Sequence, residues 1–349
     1  MALRHAAKVI AMKHILVLGG TGFVGAHVCE KLVRAGFRVS VPTRRAVNAR
    51  NIQHLPGLTV LECNVHDELA LTQAMAGVDG VVNLVAILHG RPASFDRVHR
   101  LLPEKIANAC KAQGVRHVVH VSALGTDWRA PQNCPSNYLR SKGQGEATLM
   151  QQLGWPLARN GSARATDRTG LTVLRPSVIF GALDKFLNVF AALQKVFPVM
   201  PLAGAQAKFQ PVWVEDVASA VVRSLERGLS GPPAWDVYEL VGPKVYSLRE
   251  LVELAAMLSG IGHGRGRPVI GLPRWMGQVQ ALILGLMPGE PVMSLDNLDS
   301  MRVDNVASGQ LPGLEALGLS PSTLAAIAPT YLLADRSGDG LLGVRRHAH

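Results

Sequence analysis

The sequence predicts a doubly wound α/β fold: one parallel sheet with helices on both faces, then a smaller C-terminal lobe. Three observations predict it. Short β-rich runs alternate with helical runs from the start of the chain. The strand candidates are continuously apolar rather than alternating, as strands buried on both faces must be. The first strand runs straight into a cluster of glycines that opens a helix. The strand candidates are HILVL (14–18), RVSVP (38–42), LTVLEC (58–63), GVVNLVA (80–86), RHVVHVS (116–122) and LTVLRPS (171–177). Helical candidates lie between them at 23–35, 68–76, 97–112 and 138–153.

The polar, basic stretch WPLARNGSARATDRTG (155–170) interrupts this rhythm and reads as a surface insertion between a helix and the next strand. Past Gly181 the alternation fades. An amphipathic run covers 183–197, and 214–228 reads as a helix with Glu215 and Asp216 in its first turn. VYELVG (237–242) reads as a further strand, and 247–260 opens with the capping-box pair Ser247 and Glu250. The stretch 266–333 is broken by Pro and Gly. The expected division is 12–181 for the sheet domain and 182–333 for the smaller lobe, with segments near 211–228 and 237–242 returning to the first. Residues 1–11 and 334–349 are expected to be flexible tails, with the true start at Met1 or Met12.

The glycine cluster carries the chemistry. Gly19, Gly20, Gly22 and Gly25 sit between a strand and a helix, and Gly20-x-Gly22-x-x-Gly25 fits the dinucleotide fingerprint of a Rossmann fold. Glycine there allows a tight turn, close approach of backbone to a pyrophosphate, and close packing of helix on strand. The helix N-terminus adds free amides and partial positive charge. NAD binders usually place an acid about 20 residues further on, on the ribose hydroxyls. Here no acidic residue occurs between Glu30 and Glu62, and the second strand ends in Thr43, Arg44 and Arg45. A carboxylate would repel a 2′-phosphate, whereas guanidinium groups pair with it, so NADP(H) is expected over NAD(H).

The bulk numbers narrow the alternatives. Net charge is +11, from 36 basic and 25 acidic residues, which admits nucleic acid, an anionic membrane surface or an anionic cofactor. The basic residues are dispersed and aromatics are only 5%, which argues against nucleic acid. Cys29, Cys63, Cys110 and Cys134 form no C-x-x-C and read as reduced thiols in a cytoplasmic protein. The histidines show no metal-ligand spacing, and His117 and His120 should point to opposite faces of one strand. No apolar run approaches the length of a membrane span.

At this point the chain resembles the short-chain dehydrogenase/reductase superfamily, in its extended, atypical branch. GGTGFVG, VVNLVAIL, VRHVVHVSALG, YLRSK, LTVLRPSVIFG and PVWVEDVA occur in that family's order over most of 12–305. More narrowly, VYELVGPKVYSLRELVEL and the late LPRW and MPGEPVMSLDNLDSMRVDNV are similar to bacterial relatives of the NADPH-binding accessory subunit of respiratory complex I. The insertion at 155–170 departs from the family pattern. The resemblance implies that Gly19, Gly22, Phe23, Val24 and Gly25 hold the phosphates. It puts Asn64 and Val65 at the adenine, Leu84, Val85 and Ala86 along the cofactor, and Pro176 and Val178 beside the nicotinamide and substrate.

Tyr138 and Lys142 share a helix face, a spacing any amphipathic helix can offer. The resemblance makes them the family's Tyr-x-x-x-Lys. In active relatives the lysine binds the nicotinamide ribose and lowers the tyrosine pKa, so that the tyrosine can move a proton near neutral pH. A Ser or Thr hydroxyl at the end of the fifth strand orients the substrate. Here Ala123 takes that position, with Ser122 beside it and Thr126 as a remote second candidate. His99 stands where many relatives carry an Asn that supports a proton-relay water.

Three functions follow as expectations. The first is an NADP(H)-dependent oxidoreductase acting on a hydrophobic carbonyl or quinone-related substrate. The second is a non-catalytic nucleotide-binding accessory protein, peripheral on the inner face of a membrane through a respiratory complex or anionic lipid. A nucleotide-sugar epimerase or dehydratase shares the fold and ranks last.

Overall fold

The computed structural model describes residues 12–155, 169–264, 266–285 and 293–332. The tails expected at 1–11 and 334–349, and all but the ends of the insertion expected at 155–170, lie outside the described residues.

The strands are β1 (His14–Leu18), β2 (Arg38–Thr43), β3 (Leu58–Glu62), β4 (Gly80–Asn83), β5 (His117–Val121), β6 (Gly170–Pro176), β7 (Ile179–Phe180), β8 (Met200–Ala203), β9 (Lys208–Phe209), β10 (Val212–Trp213), β11 (Trp235–Leu240), β12 (Tyr246–Ser247) and β13 (Val269–Leu272). The α-helices are α1 (Phe23–Arg34), α2 (Glu68–Ala74), α3 (Pro92–Phe95), α4 (Leu102–Gln113), α5 (Asn137–Gln152), α6 (Leu187–Val196), α7 (Val214–Ser230), α8 (Leu248–Leu258), α9 (Arg274–Gly285), α10 (Leu295–Ser300) and α11 (Leu324–Leu332).

Seven strands form one sheet in the order β3-β2-β1-β4-β5-β6-β11, and every neighbouring pair is parallel. This is the Rossmann arrangement the sequence predicts. Its order reverses between β1 and β4, which opens a crevice at their C-terminal ends. The continuous apolar strands have a direct explanation. Ile15 and Val17 face one core with Val28, Leu32, Val217 and Val221 of α1 and α7. Leu16 and Leu18 face the other with Leu102, Ile106 and Leu149 of α4 and α5.

Two elements differ from expectation. β4 stops at Asn83, because the Asn83 Oδ1 accepts from the Val85 amide at 3.2 Å and turns the chain out of the sheet. The helix expected at 97–112 begins at Pro92 and contains a π turn, Asp96–Leu101, between α3 and α4. Pro103 has no N–H to offer the His99 carbonyl four residues earlier, and its ring crowds that oxygen, so the helix widens there.

β7 pairs with β10, β9 with β12, and β8 with β13, around a core of Phe180, Leu187, Phe190, Leu251, Val252 and Leu324. The capping box of α8 forms as its sequence predicts, between Ser247 and Glu250. Two later segments lie with the large sheet. β11 pairs with β6, and α7 packs on α1, where Glu215 meets His27 and, at 2.8 Å, Lys31.

Candidate dinucleotide site and the tyrosine–lysine cluster

β1 ends at Leu18, and the chain turns at once into α1. Gly19 has φ +83°, a left-handed conformation that side chains rarely adopt. A Cβ on Gly25 would stand 2.2 Å from the Gly19 carbonyl oxygen, so only glycine lets α1 close on the turn. Gly22 is the exposed N-cap of α1, and Phe23 and Val24 are half-buried in its first turn. The first turn has no acidic side chain, so its free amides and positive dipole end are left for an anion. This cradle fits a pyrophosphate.

At the end of β2, Thr43 is buried and its hydroxyl donates to the Arg45 carbonyl at 3.2 Å. Arg44 and Arg45 are exposed. Glu62, at the end of β3, accepts from the Ala46 amide at 2.8 Å and so shapes the loop that carries them. Asn64 is exposed and accepts from the His66 amide at 3.2 Å, while Val65 packs on the α2/α4 core. Leu84 and Val85 follow β4, with their backbone within 3.2 Å of where a Gly19 Cβ would be, and Ala86 beyond them is exposed. Pro176 is buried, its carbonyl accepting from the Leu124 amide at 2.9 Å, and Val178 is half-buried.

The tyrosine–lysine pair lies on α5. Lys142 is 2% exposed, and its ammonium donates to the Val121 carbonyl at the end of β5, 2.7 Å away. Burial pulls its pKa down to about 8, against the pull of the Glu146 carboxylate one turn along, so it is mostly protonated at neutral pH. Glu146 is itself fully buried and forked onto Arg175, with Nη2–Oε2 at 2.5 Å and Nε–Oε1 at 3.1 Å. Thr126 donates to the same carboxylate at 2.7 Å, which removes it as a cleft hydroxyl.

Tyr138 is half-buried, its ring edge-on to His99 and Phe95. Burial pushes its pKa up to about 12, opposite to the lowering that the resemblance implies. The cause is burial, with the phenol ring packed against Phe95 and His99. Ala123 packs beside Tyr138. Ser122 is buried, and its hydroxyl finds no hydrogen-bond partner among the described residues. An orphaned hydroxyl near the buried lysine fits a site built to receive a polar ligand.

His99 projects from the π turn and joins two sides of the cleft. Its Nε2 accepts from the Ile87 amide at 3.1 Å, so its Nδ1 carries the proton and donates to Ser141 at 2.8 Å. Burial, with the Lys142 charge, lowers its pKa to about 3, which keeps it neutral. His120 lies on the Lys142 side of β5, and Asn83 donates to its Nδ1 at 3.0 Å. His117 lies on the α7 side and pairs with Thr172 at 2.9 Å, so the two histidines do face opposite ways.

Several residues here escaped the sequence reading. A Cβ on Gly145 would stand 2.0 Å from the His99 carbonyl, so Gly145 lets α5 seat against the π turn. Asp296 of α10 accepts from the amides of Asn137 (2.7 Å) and Tyr138 (2.9 Å) at the start of α5. GQGEAT after the lysine was the available signal for Gly145 and Glu146. Nothing local marked Asp296.

A family model described as NAD(P)H-binding matches residues 19–178. The chain is 32% identical over 322 residues to the mitochondrial NADH dehydrogenase (ubiquinone) 1 alpha subcomplex subunit 9 of Mus musculus, covering 88% of this chain and 76% of that protein. The chain belongs to the subunit 9 family. Among solved structures it is similar to an NADPH-dependent quinone oxidoreductase of Escherichia coli complexed with NADPH, at TM-score 0.66 and 22% identity over 91% of this chain and 99% of that one. It is also similar to a UDP-glucose 4-epimerase of Thermotoga maritima, at TM-score 0.65 and 18% identity over 92% and 97% of the two chains. These two likenesses show the fold. The NAD(P)H-binding family model agrees with the glycine turn described above.

Proposed function

We propose that this protein binds NADP(H) and reduces a hydrophobic carbonyl or quinone-related compound. The observation that carries the cofactor choice is the end of β2. Arg44 and Arg45 are exposed beside a turn shaped for pyrophosphate, and no carboxylate lies between Glu30 and Glu62 to oppose a 2′-phosphate. The quinone oxidoreductase that shares this fold was solved with NADPH, which supports the same choice.

In this reading Gly19, Gly22, Phe23, Val24 and Gly25 hold the phosphates, and Asn64 and Val65 border the adenine. Leu84, Val85, Ala86, Pro176 and Val178 line the path to the nicotinamide. Lys142 clamps its ribose, and Ser122 offers its free hydroxyl. The nicotinamide, when bound, supplies the hydride. With its pKa near 12, Tyr138 holds its proton at neutral pH, so it serves as the donor to a substrate oxygen. The second lobe, 182–333, forms the substrate side.

The test is direct. NADPH should bind at least tenfold more tightly than NADH, and the double variant Arg44→Ala, Arg45→Ala should abolish that preference; equal affinities before and after defeat the cofactor assignment. NADPH oxidation against quinones, aldehydes and ketones should vanish in Tyr138→Phe. Full turnover in that variant removes Tyr138 from the chemistry.

A second reading makes the protein a nucleotide-binding accessory of a membrane respiratory complex, peripheral on the inner, cytoplasmic face. The outer face of α9 favours it: Trp275, Val279 and Leu282 are 65%, 51% and 58% exposed along one stripe. The mouse relative is named as a subunit of NADH dehydrogenase (ubiquinone), and the chain's +11 charge suits an anionic membrane surface around such a complex. Among the described residues no helix is long and apolar enough to cross a membrane. Co-migration with a membrane complex in native gels, lost in Trp275→Glu with Val279→Glu, supports this reading. Migration away from every membrane complex ends it.

A further inference from the structure

The start of α5 is completed by the other lobe. A helix leaves its first amides without partners. Here Ser136 serves as N-cap and accepts from the Leu139 amide at 3.1 Å, and the Arg140 amide closes on the Ser136 carbonyl at 3.0 Å. The two amides between, of Asn137 and Tyr138, go to the two carboxylate oxygens of Asp296, 158 to 159 residues away in sequence. Ser300, one turn further along α10, donates to the Ser136 hydroxyl at 2.8 Å. So α10 grips the cap and the first turn together. A negative charge at a helix N-terminus is also favoured by the helix dipole.

The gripped residue is Tyr138 itself. On its other side its ring meets His99, which ties Ser141 of the same helix to the Ile87 amide in the loop after β4. The tyrosine is therefore held by its side chain from the sheet domain and by its backbone from the C-terminal lobe.

We propose that Asp296 is a positioning residue that fixes Tyr138 through its backbone, so that the C-terminal lobe sets where the phenol points. The effect on turnover rests on the reading of Tyr138 as proton donor; the clamp itself does not. In Asp296→Ala the first turn of α5 loosens and the phenol wanders, while the phosphate turn at the far end of the cleft is untouched. Asp296→Asn keeps the size and one acceptor oxygen, and falls between.

The full-length protein allows a test with three readouts. Hydrogen–deuterium exchange in a peptide spanning 135–142 should quicken about tenfold in Asp296→Ala, with the peptide spanning 15–36 unchanged. The chain has four tyrosines, so 3-fluorotyrosine labelling yields a short ¹⁹F spectrum in which Tyr138→Phe identifies the Tyr138 line. That line should shift or broaden in Asp296→Ala and move less in Asp296→Asn. NADPH affinity should stay within about twofold while NADPH-dependent turnover falls about tenfold. Unchanged exchange and an unchanged ¹⁹F line overturn the proposal, as does a parallel loss of affinity and turnover, which marks Asp296 as merely structural. If exchange and ¹⁹F respond but Tyr138→Phe retains turnover, the clamp stands and the proton-donor reading falls. Should Asp296→Ala not fold, Asp296→Asn and Ser300→Ala supply the same comparison.

Discussion

The two ends of the cleft are made in different ways. The phosphate end is a backbone device: one left-handed glycine, one glycine that admits the helix, and a row of free amides, all within a dozen residues. The tyrosine–lysine end is a side-chain device drawn from the loop after β4, a π turn, the end of β5, α5 and α10. The first needs no side-chain chemistry. The second buries a lysine, a carboxylate, an arginine and two histidines together, and each is paid for by a specific partner. The phosphate turn is thus secured locally, whereas the tyrosine–lysine arrangement depends on long-range packing.

That contrast can be broken at its two glycines, where the largest effects are expected. Gly25→Ala and Gly145→Ala each drive a Cβ into a carbonyl oxygen, at 2.2 and 2.0 Å. Each should cost roughly 2 kcal/mol or more of stability, read by urea unfolding. Gly25→Ala should also lose most nucleotide affinity, while Gly145→Ala should retain more of it and lose the order of α5. Equal binding losses in the two would mean that the ends are not separate devices.

Acid should next weaken the side-chain end and the sheet beside it. His99, His117 and His120 are buried neutral in the sheet domain, with pKa values lowered to about 3, about 4 and well below 6.5. The unfolded chain takes up protons near pH 6.5, and the folded chain does not until lower pH. Stability is therefore lost as pH falls from about 6.5 towards 4, by up to about 1.4 kcal/mol per pH unit for each histidine. Urea midpoints at pH 7.5, 6 and 5 should show this fall, and His99→Gln, which can still bridge Ile87 and Ser141, should lessen it. A flat profile would place these rings in contact with water.

The smallest effect is expected at Ser122. Its hydroxyl has no partner to lose, so Ser122→Ala should change stability by less than about 0.5 kcal/mol. A drop in NADPH-dependent turnover without loss of stability would sharpen the side-chain end of the comparison by adding a working hydroxyl to it.

Legibility in the sequence followed the same divide. The sheet could be read because burial on both faces demands uninterrupted apolar strands, and the glycine turn because its conformation is local. Tyr138 and Lys142 were singled out by the family resemblance, since one helical turn of spacing is common to any amphipathic helix. The wider turn at His99 was missed because the helix expected at 97–112 runs through Pro103 without tracing that residue's effect on the preceding carbonyl. The tyrosine's raised pKa was missed because it depends on burial, which only packing sets.

By itself, then, the sequence determined the alternating layers and the phosphate turn, since each follows from periodicity or from conformations that only certain residues adopt; the pair on α5 it offered only as a spacing that the family resemblance singled out. The tertiary structure alone decided that Lys142 reaches Val121, that Glu146 is matched to Arg175, and that Asp296 closes the first turn of the tyrosine helix. Those contacts join residues far apart in the chain, and a buried charge or a free amide carries no mark of its partner until packing brings the two together.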